Sequence, residues 1–169
     1  VTAALYASKS RRIGIIATPA TVSAKSIEAR LKAQDSRVQV ISVGCPRFVP
    51  LIEEGHIYDE EIAAAAREYL APIKGFGVDT LILGCTHYPI ISKIIGEIMG
   101  EGVVLVDSGK ETAFEIKRVL DSCDMACDRG SGGSVEYFVT AKPACFDTVA
   151  KIFLGEDSCV QSLLKAIEE

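Results

Sequence analysis

A cysteine, a threonine and a histidine fall together at Cys85-Thr86-His87, directly after an apolar run and directly before Tyr88-Pro89. A thiolate is both nucleophile and base. An imidazole accepts or donates protons near neutral pH. Thr86 adds a hydroxyl and a backbone N–H suited to a bound carboxylate. A helix beginning at about Pro89 would present free N–H groups that favour anions, a thiolate among them. Together these groups form a proton-transfer unit. A buried, inert cysteine at a strand end has the same local appearance. Spacing alone does not decide between the two.

The flanking elements must bring such groups to one place. Short apolar runs rich in β-branched residues alternate with amphipathic stretches. Arg12–Thr18, Val38–Cys45, Val78–Gly84 and Val103–Asp107 are expected strands. Val22–Ala33, Asp59–Ile73, Pro89–Met99 and Glu111–Leu120 are expected helices, the first capped by Thr21 or Ser23. Asp59-Glu60-Glu61 suit a helix N-terminus, and Pro89 suits a first turn. Strands without polar alternation, separated by helices, predict a parallel doubly wound α/β sheet covered on both faces. Ligands of such sheets lie at the carboxyl ends of the strands. The polar punctuation falls there: Thr18-Pro19-Ala20-Thr21, Cys45-Pro46, Cys85-Thr86-His87 and Asp107-Ser108-Gly109. Beyond residue 121, Val135–Thr140 is an expected strand and Cys145–Leu154 a short helix. The Gly-Ser run at 129–134 lacks the bracketing strand and helix of a phosphate loop.

Composition narrows the function classes. Hydrophobic residues make up 49% of the 169 and charged residues 24%, as in a globular domain. A net charge of −5 with no basic block offers no footprint for nucleic acid or an anionic membrane. No apolar run reaches bilayer length, and no signal peptide is evident, so a cytoplasmic location is expected. The absence of an initiator Met fits a processed chain or a piece of a longer one. The six cysteines are too dispersed for a small disulfide scaffold and are read as reduced thiols. Metal ligation is not expected, because Cys123 and Cys127 have no second close pair and the histidines are only His56 and His87. Cys45 is read as closing a strand, and His56 as a surface residue. Cys123, Cys127, Cys145 and Cys159 are read as packing or incidental. Thr18 and Thr21 are ordinary turn and cap residues, and Glu53-Glu54 an ordinary solvated pair, unless other information lifts them.

Gly84-Cys85-Thr86-His87-Tyr88-Pro89 resembles the second cysteine motif of glutamate racemases. Residues 13–21 (IGIIATPAT) resemble that family's strand and threonine loop. Residues 45–55 (CPRFVPLIEEG) are similar to its Cys-Pro-x-Phe-Val-Pro segment. Residues 68–91, 104–113 and 136–155 match in order and spacing, so the likeness covers nearly the whole chain. It implies racemisation of glutamate without pyridoxal phosphate or metal. Two cysteines would face each other across the substrate, one removing the α-proton and the other returning a proton to the opposite face. Cys85 would take the proton from L-glutamate, His87 would tune it, and Thr86, Thr18 and Thr21 would line the substrate. Glu53 matches the auxiliary acid, with Glu54 as the alternative. The product, D-glutamate, would serve peptidoglycan.

There are departures. Ala17 stands where the family usually has Gly, and Ala24 where it has Ser, with Ser23 adjacent. The family's N-terminal Asp-Ser-Gly loop and its first cysteine motif are missing. Residues 1–103 are therefore expected to form the second lobe of a racemase. Residues 104–169 are expected to return to a first lobe that is otherwise absent. A chain with one of the two thiols is expected to be a weak racemase. Apolar surface left on 104–169 would favour association, a homodimer being one form of it. An aspartate racemase of the same superfamily is the neighbouring alternative, which His87 disfavours. A non-catalytic binding or regulatory fragment is the other.

Overall fold

The computed structural model describes residues 1–127, 130, 138–139, 150–152 and 165–166. It divides into two compact units, Val1–Val119 and Leu120–Glu169. The first contains four parallel strands: β1 (Arg12–Ala17), β2 (Gln39–Gly44), β3 (Thr80–Leu83) and β4 (Val104–Asp107). Their order across the sheet is β2-β1-β3-β4. Ile16 pairs with Val43 on one side and Leu83 on the other, and Leu83 pairs with Asp107. The four expected strands are thus present, each slightly shorter than the apolar run that carries it.

Successive side chains of a strand face opposite sides of the sheet, and in β1 and β3 both sides are buried. Ile13, Ile15 and Ala17 of β1 join Ile82 of β3 on one face, with Ala4 of α1 (Thr2–Ala7) and Leu31 of α3 (Ser26–Gln34). Ile16, Leu81 and Leu83 point to the other face. They meet α4 (Phe48–Glu53), α5 (Glu60–Phe76) and α6 (Ser92–Met99). Both faces of the sheet are covered, which is why its strands lack polar alternation. Asp59 caps α5 as its charge suggested, its side chain accepting from the Glu61 and Ile62 N–H groups. Gly77 ends that helix in the left-handed region at φ +73°.

Several expectations need correction. The expected helix Val22–Ala33 is two helices, α2 (Pro19–Ala24) and α3, broken at Lys25, whose φ of 51° is left-handed. Neither Thr21 nor Ser23 caps it; Thr18 is the N-cap of α2, and Pro19 occupies the first turn. Residues Tyr88–Ile91 form a 3-10 turn, and the α-helix begins at Ser92 rather than Pro89. Helices α1 and α4 were not anticipated, although Phe48, Leu51 and Ile52 are buried at helical spacing. Pro46 and Pro50 made that stretch look like a turn, but Pro50 sits in the first turn, where its missing N–H costs nothing. Helix α7 (Ser108–Ser122) starts earlier than expected. Its first turn is held by Asp107 Oδ1, which accepts from the Gly109 and Lys110 N–H groups at 2.8 and 3.2 Å.

In the second unit, β5 (Phe138–Val139) pairs in parallel with β6 (Lys165–Ala166). Residues 138–139 fall within the expected strand, and 150–152 are helical, within the expected helix. The rest of those two stretches, the Gly-Ser run apart from Gly130, and Cys145 and Cys159 lie outside the described residues.

The connection from α1 to β1 is pinned at the amino end of the sheet. Asp79 accepts from the Ser8 hydroxyl at 2.6 Å and from the Lys9 N–H at 2.8 Å. Burial opposes ionisation of Asp79. The Ser8 hydroxyl, the Ser10 N–H and the Thr80 hydroxyl outweigh it and hold the carboxyl at about 2, below the ordinary 3.8. A depressed carboxyl stabilises the fold above its unfolded value and loses that contribution as pH falls through the folded one. Asp79→Ala is expected to lower stability by about 1–2 kcal/mol at pH 7. The gap between variant and parent should close as pH falls from about 4 toward 2. Urea midpoints measured across that range check both statements.

Candidate active site

Strand order reverses direction at β1, since the chain moves from β1 to β2 on one side and then to β3 on the other. A crevice forms outside the carboxyl ends of strands at such a switch point. Thr18 follows β1 and Cys85 lies just beyond β3, so both stand at this crevice. The Gly84 N–H donates to the Ile16 carbonyl at 2.8 Å, carrying the β1–β3 pairing one residue past the strand. A side chain on Gly84 would bring its Cβ to 2.9 Å from that carbonyl oxygen and 3.1 Å from Ala17 Cβ. Ala17 therefore occupies space that only glycine at position 84 leaves open.

Cys85 is half-buried, and Thr86 is exposed. Cys85 Sγ lies 4.0 Å from His87 Nδ1, and Thr86 Oγ1 lies 3.4 Å from the same nitrogen. His87 Nε2 is 3.3 Å from Glu53 Oε1. Glu53 is the last residue of α4 and half-exposed. A carboxylate accepting from Nε2–H leaves Nδ1 to exchange a proton with the thiol. The result is a line from carboxylate to imidazole to sulfur, the arrangement that activates a thiol. The sulfur contact, at 4.0 Å, is at the long limit of a hydrogen bond to sulfur.

Glu54 is the smallest of the charges that act on His56, whose Nδ1 is 2.6 Å from Asp59 Oδ2. The Asp59 hydrogen bond, against the cost of burial, raises the His56 pKa, with Asp59, Glu61 and Glu54 charges adding to it. His56, expected on the surface, is partly covered and belongs to this acidic group.

Thr18 Oγ1 and Thr21 Oγ1 are hydrogen-bonded to each other at 3.0 Å, so the two threonines form one polar lip on the crevice. Cys45 lies one residue past β2: its N–H donates to the Ala17 carbonyl at 2.9 Å, and it is 1% exposed. Burial pushes the Cys45 thiol up to about 12, and the nearby Cys85 charge pushes in the same direction. Cys45 is therefore a thiol at physiological pH and has no thiolate for proton abstraction.

The expected helix start at Pro89 does not contribute as foreseen. The Tyr88 N–H donates to the Cys85 carbonyl at 3.2 Å, and the Ile90 N–H to the His87 carbonyl at 3.1 Å. These N–H groups close the 3-10 turn and do not face an anion. A cavity of about 540 Å³ opens beside the site, at the ends of β3 and β4, lined by Lys93, Asp107, Lys110, Glu111 and Phe114 among others. Neither Cys85 nor His87 lines it, so the chemistry is placed by the side-chain cluster rather than by the cavity.

Residues 1–115 match the family model described as Asp/Glu/Hydantoin racemase. The chain belongs to this family. It is 41% identical over 147 residues to a glutamate racemase of Geobacter metallireducens, covering 87% of this chain and 54% of that one. Among racemase structures, glutamate racemase isoform RacE1 from Bacillus anthracis superposes with a TM-score of 0.88 at 28% identity, over 99% of this chain and 61% of that one. A glutamate racemase from Francisella tularensis in complex with D-glutamate superposes with a TM-score of 0.82 at 29% identity, over 95% and 59%. The chain thus spans little more than half the length of these relatives. Its crevice carries Cys85-Thr86-His87, and Ala17 is accommodated by Gly84.

Proposed function

We propose that this chain carries one half of a cofactor-independent glutamate racemase site. The observation that carries the reading is the Cys85–His87–Glu53 line at the switch-point crevice, together with the D-glutamate named for the Francisella relative. Cys85 takes the α-proton of L-glutamate. His87 stabilises the thiolate, and Glu53 holds His87 in the tautomer that can do so. Thr86 and the Thr18–Thr21 lip receive the substrate's carboxylates. Inversion needs a proton delivered to the opposite face. Cys45 cannot supply it, being buried and on the same lobe. The second acid, which the family resemblance gives as another cysteine, must come from beyond these side chains. In its cellular setting the product is D-glutamate for peptidoglycan, made in the cytoplasm. β4 (Val104–Asp107) pairs within this lobe's own sheet, so it is the chain beyond Val119 that would return to the other lobe.

The isolated 169-residue chain is accordingly expected to exchange the α-proton of glutamate without fast inversion. Incubation with L- or D-glutamate in deuterium oxide, followed by NMR and optical rotation, measures both. Protection of Cys85 from alkylation by the same ligands measures binding. Neither deuteration nor protection would overturn the reading, and turnover at ordinary enzyme rates would overturn the need for a second half. Faster exchange of aspartate would move the assignment to an aspartate racemase. Protection without exchange would favour a binding module.

Glu53 and Glu54 are separable in the same assay. Glu53→Gln is expected to slow exchange about tenfold, the value of a charge-assisted hydrogen bond held in the transition state. Glu54→Gln should leave the rate near that of the parent.

A further inference from the structure

Tyr88 follows His87 directly and is fully buried, at 0% exposure. Its hydroxyl donates to the Cys45 carbonyl at 3.3 Å. The same carbonyl accepts the Phe48 N–H at 3.4 Å. One oxygen therefore closes the turn that starts α4 and also receives the residue next to His87. Phe48 meets the Tyr88 ring edge-on at 5.2 Å and 88°, and the Tyr69 ring at 5.3 Å and 81°. Phe48 is the first residue of α4 and Glu53 the last. A short rigid helix thus runs from the Tyr88 contact to the carboxylate beside His87. A phenylalanine would fill the same core volume. The hydroxyl adds a fixed distance between the His87 turn and the β2–α4 turn.

We infer that Tyr88 is a positioning residue, whose hydroxyl bond to the Cys45 carbonyl sets the approach of Glu53 to His87 and so the reactivity of Cys85. This rests on the reading that Glu53 acts on Cys85 through His87. It concerns no contact of Tyr88 with substrate. The ring packs in the core while the hydroxyl and the preceding residue's imidazole address two separate partners, Cys45 and Glu53.

The test is a double-substitution cycle in the full 169-residue chain. The rate of Cys85 carbamidomethylation by iodoacetamide, the thiolate displacing iodide, is followed by peptide mass spectrometry at several pH values. Glu53→Gln is expected to slow alkylation about fivefold at pH 7, because loss of one charge-assisted hydrogen bond is worth roughly that factor. In a Tyr88→Phe background the same substitution should slow it less than about twofold. The rate–pH profile of Tyr88→Phe alone should move in the direction of the Glu53→Gln profile. Tyr69→Phe serves as the control, since it alters the other ring of the stack, whose hydroxyl accepts from Arg47 Nε at 3.1 Å, and leaves the tether intact. An undiminished Glu53 effect in folded Tyr88→Phe overturns the tether. So does an equal loss of the effect in Tyr69→Phe, which would mark it as packing. If Glu53→Gln changes nothing even with Tyr88 present, the Glu53–His87 reading itself fails and the tether with it. Thermal melts by circular dichroism confirm that each variant is folded, and Tyr88→Leu, which removes ring and hydroxyl together, must match or exceed the Tyr88→Phe loss of coupling.

Discussion

Cys85→Ser is expected to lower α-proton exchange from L-glutamate by on the order of 10³-fold, within the range lost when a positioned general base is removed. A serine hydroxyl nearly matches the thiol in size but gives up its proton far less readily, so geometry is retained while the base is lost. Cys85 is half-buried at the end of β3 and belongs to the margin of the core rather than its centre. The fold should therefore survive, and melting curves will show whether it does. Deuterium incorporation into L-glutamate, compared with the unsubstituted chain, is the measurement. A variant retaining a tenth or more of the parent rate would remove Cys85 from the mechanism. Cys45→Ser provides the contrast. Its sulfur is buried, held as a thiol and engaged with the Val43 carbonyl at 3.7 Å, so most of the exchange should remain.

Gly84→Ala is expected to be the most damaging single-methyl change at the site. The new Cβ would sit 2.9 Å from the Ile16 backbone oxygen and 3.1 Å from Ala17 Cβ. Neither neighbour is the end of a flexible side chain. Relief must come from moving β3 away from β1, which weakens the Gly84-to-Ile16 hydrogen bond of 2.8 Å. Overpacking of this kind costs about 1–3 kcal/mol. For a chain of this size that corresponds to a melting-temperature fall of several degrees, about 2–4 °C per kcal/mol. Catalysis should suffer more than stability. A shift of about 1 Å in a catalytic group can lower rate by roughly 10²-fold, and Cys85 is the next residue. Gly84→Ala combined with Ala17→Gly should recover part of both losses, because the second change clears the Cβ clash but not the carbonyl. Melting temperature and α-deuteration of the single and double variants test this. A Gly84→Ala chain with native stability and exchange would show that β1 and β3 are not locked at this point.

The sequence alone determined the features that depend on neighbours along the chain. Four apolar runs separated by amphipathic stretches required a parallel sheet covered on both faces, and the central strands β1 and β3 bury both sets of alternating side chains. The same pattern put polar residues at the carboxyl ends of the strands. Cys85, Thr86 and His87 are contiguous, so their proximity needed no tertiary information. Tertiary structure decided what depends on direction and distance. Glu53 and Glu54 are indistinguishable neighbours in the sequence, but one step on a helix rotates a side chain by about 100°. The fold brings Glu53 to His87, whereas Glu54 is the smallest of the charges that act on His56. The helix start moved from Pro89 to Ser92 because a 3-10 turn absorbs the intervening N–H groups. Cys45 became an inert thiol, and Tyr88 a tether, only when β2 and the turn after β3 were brought together by the strand between them. Cys85 began as a thiol in favourable company. The fold supplies the company it keeps from afar, a glutamate from α4 held in place by a tyrosine one residue beyond the histidine.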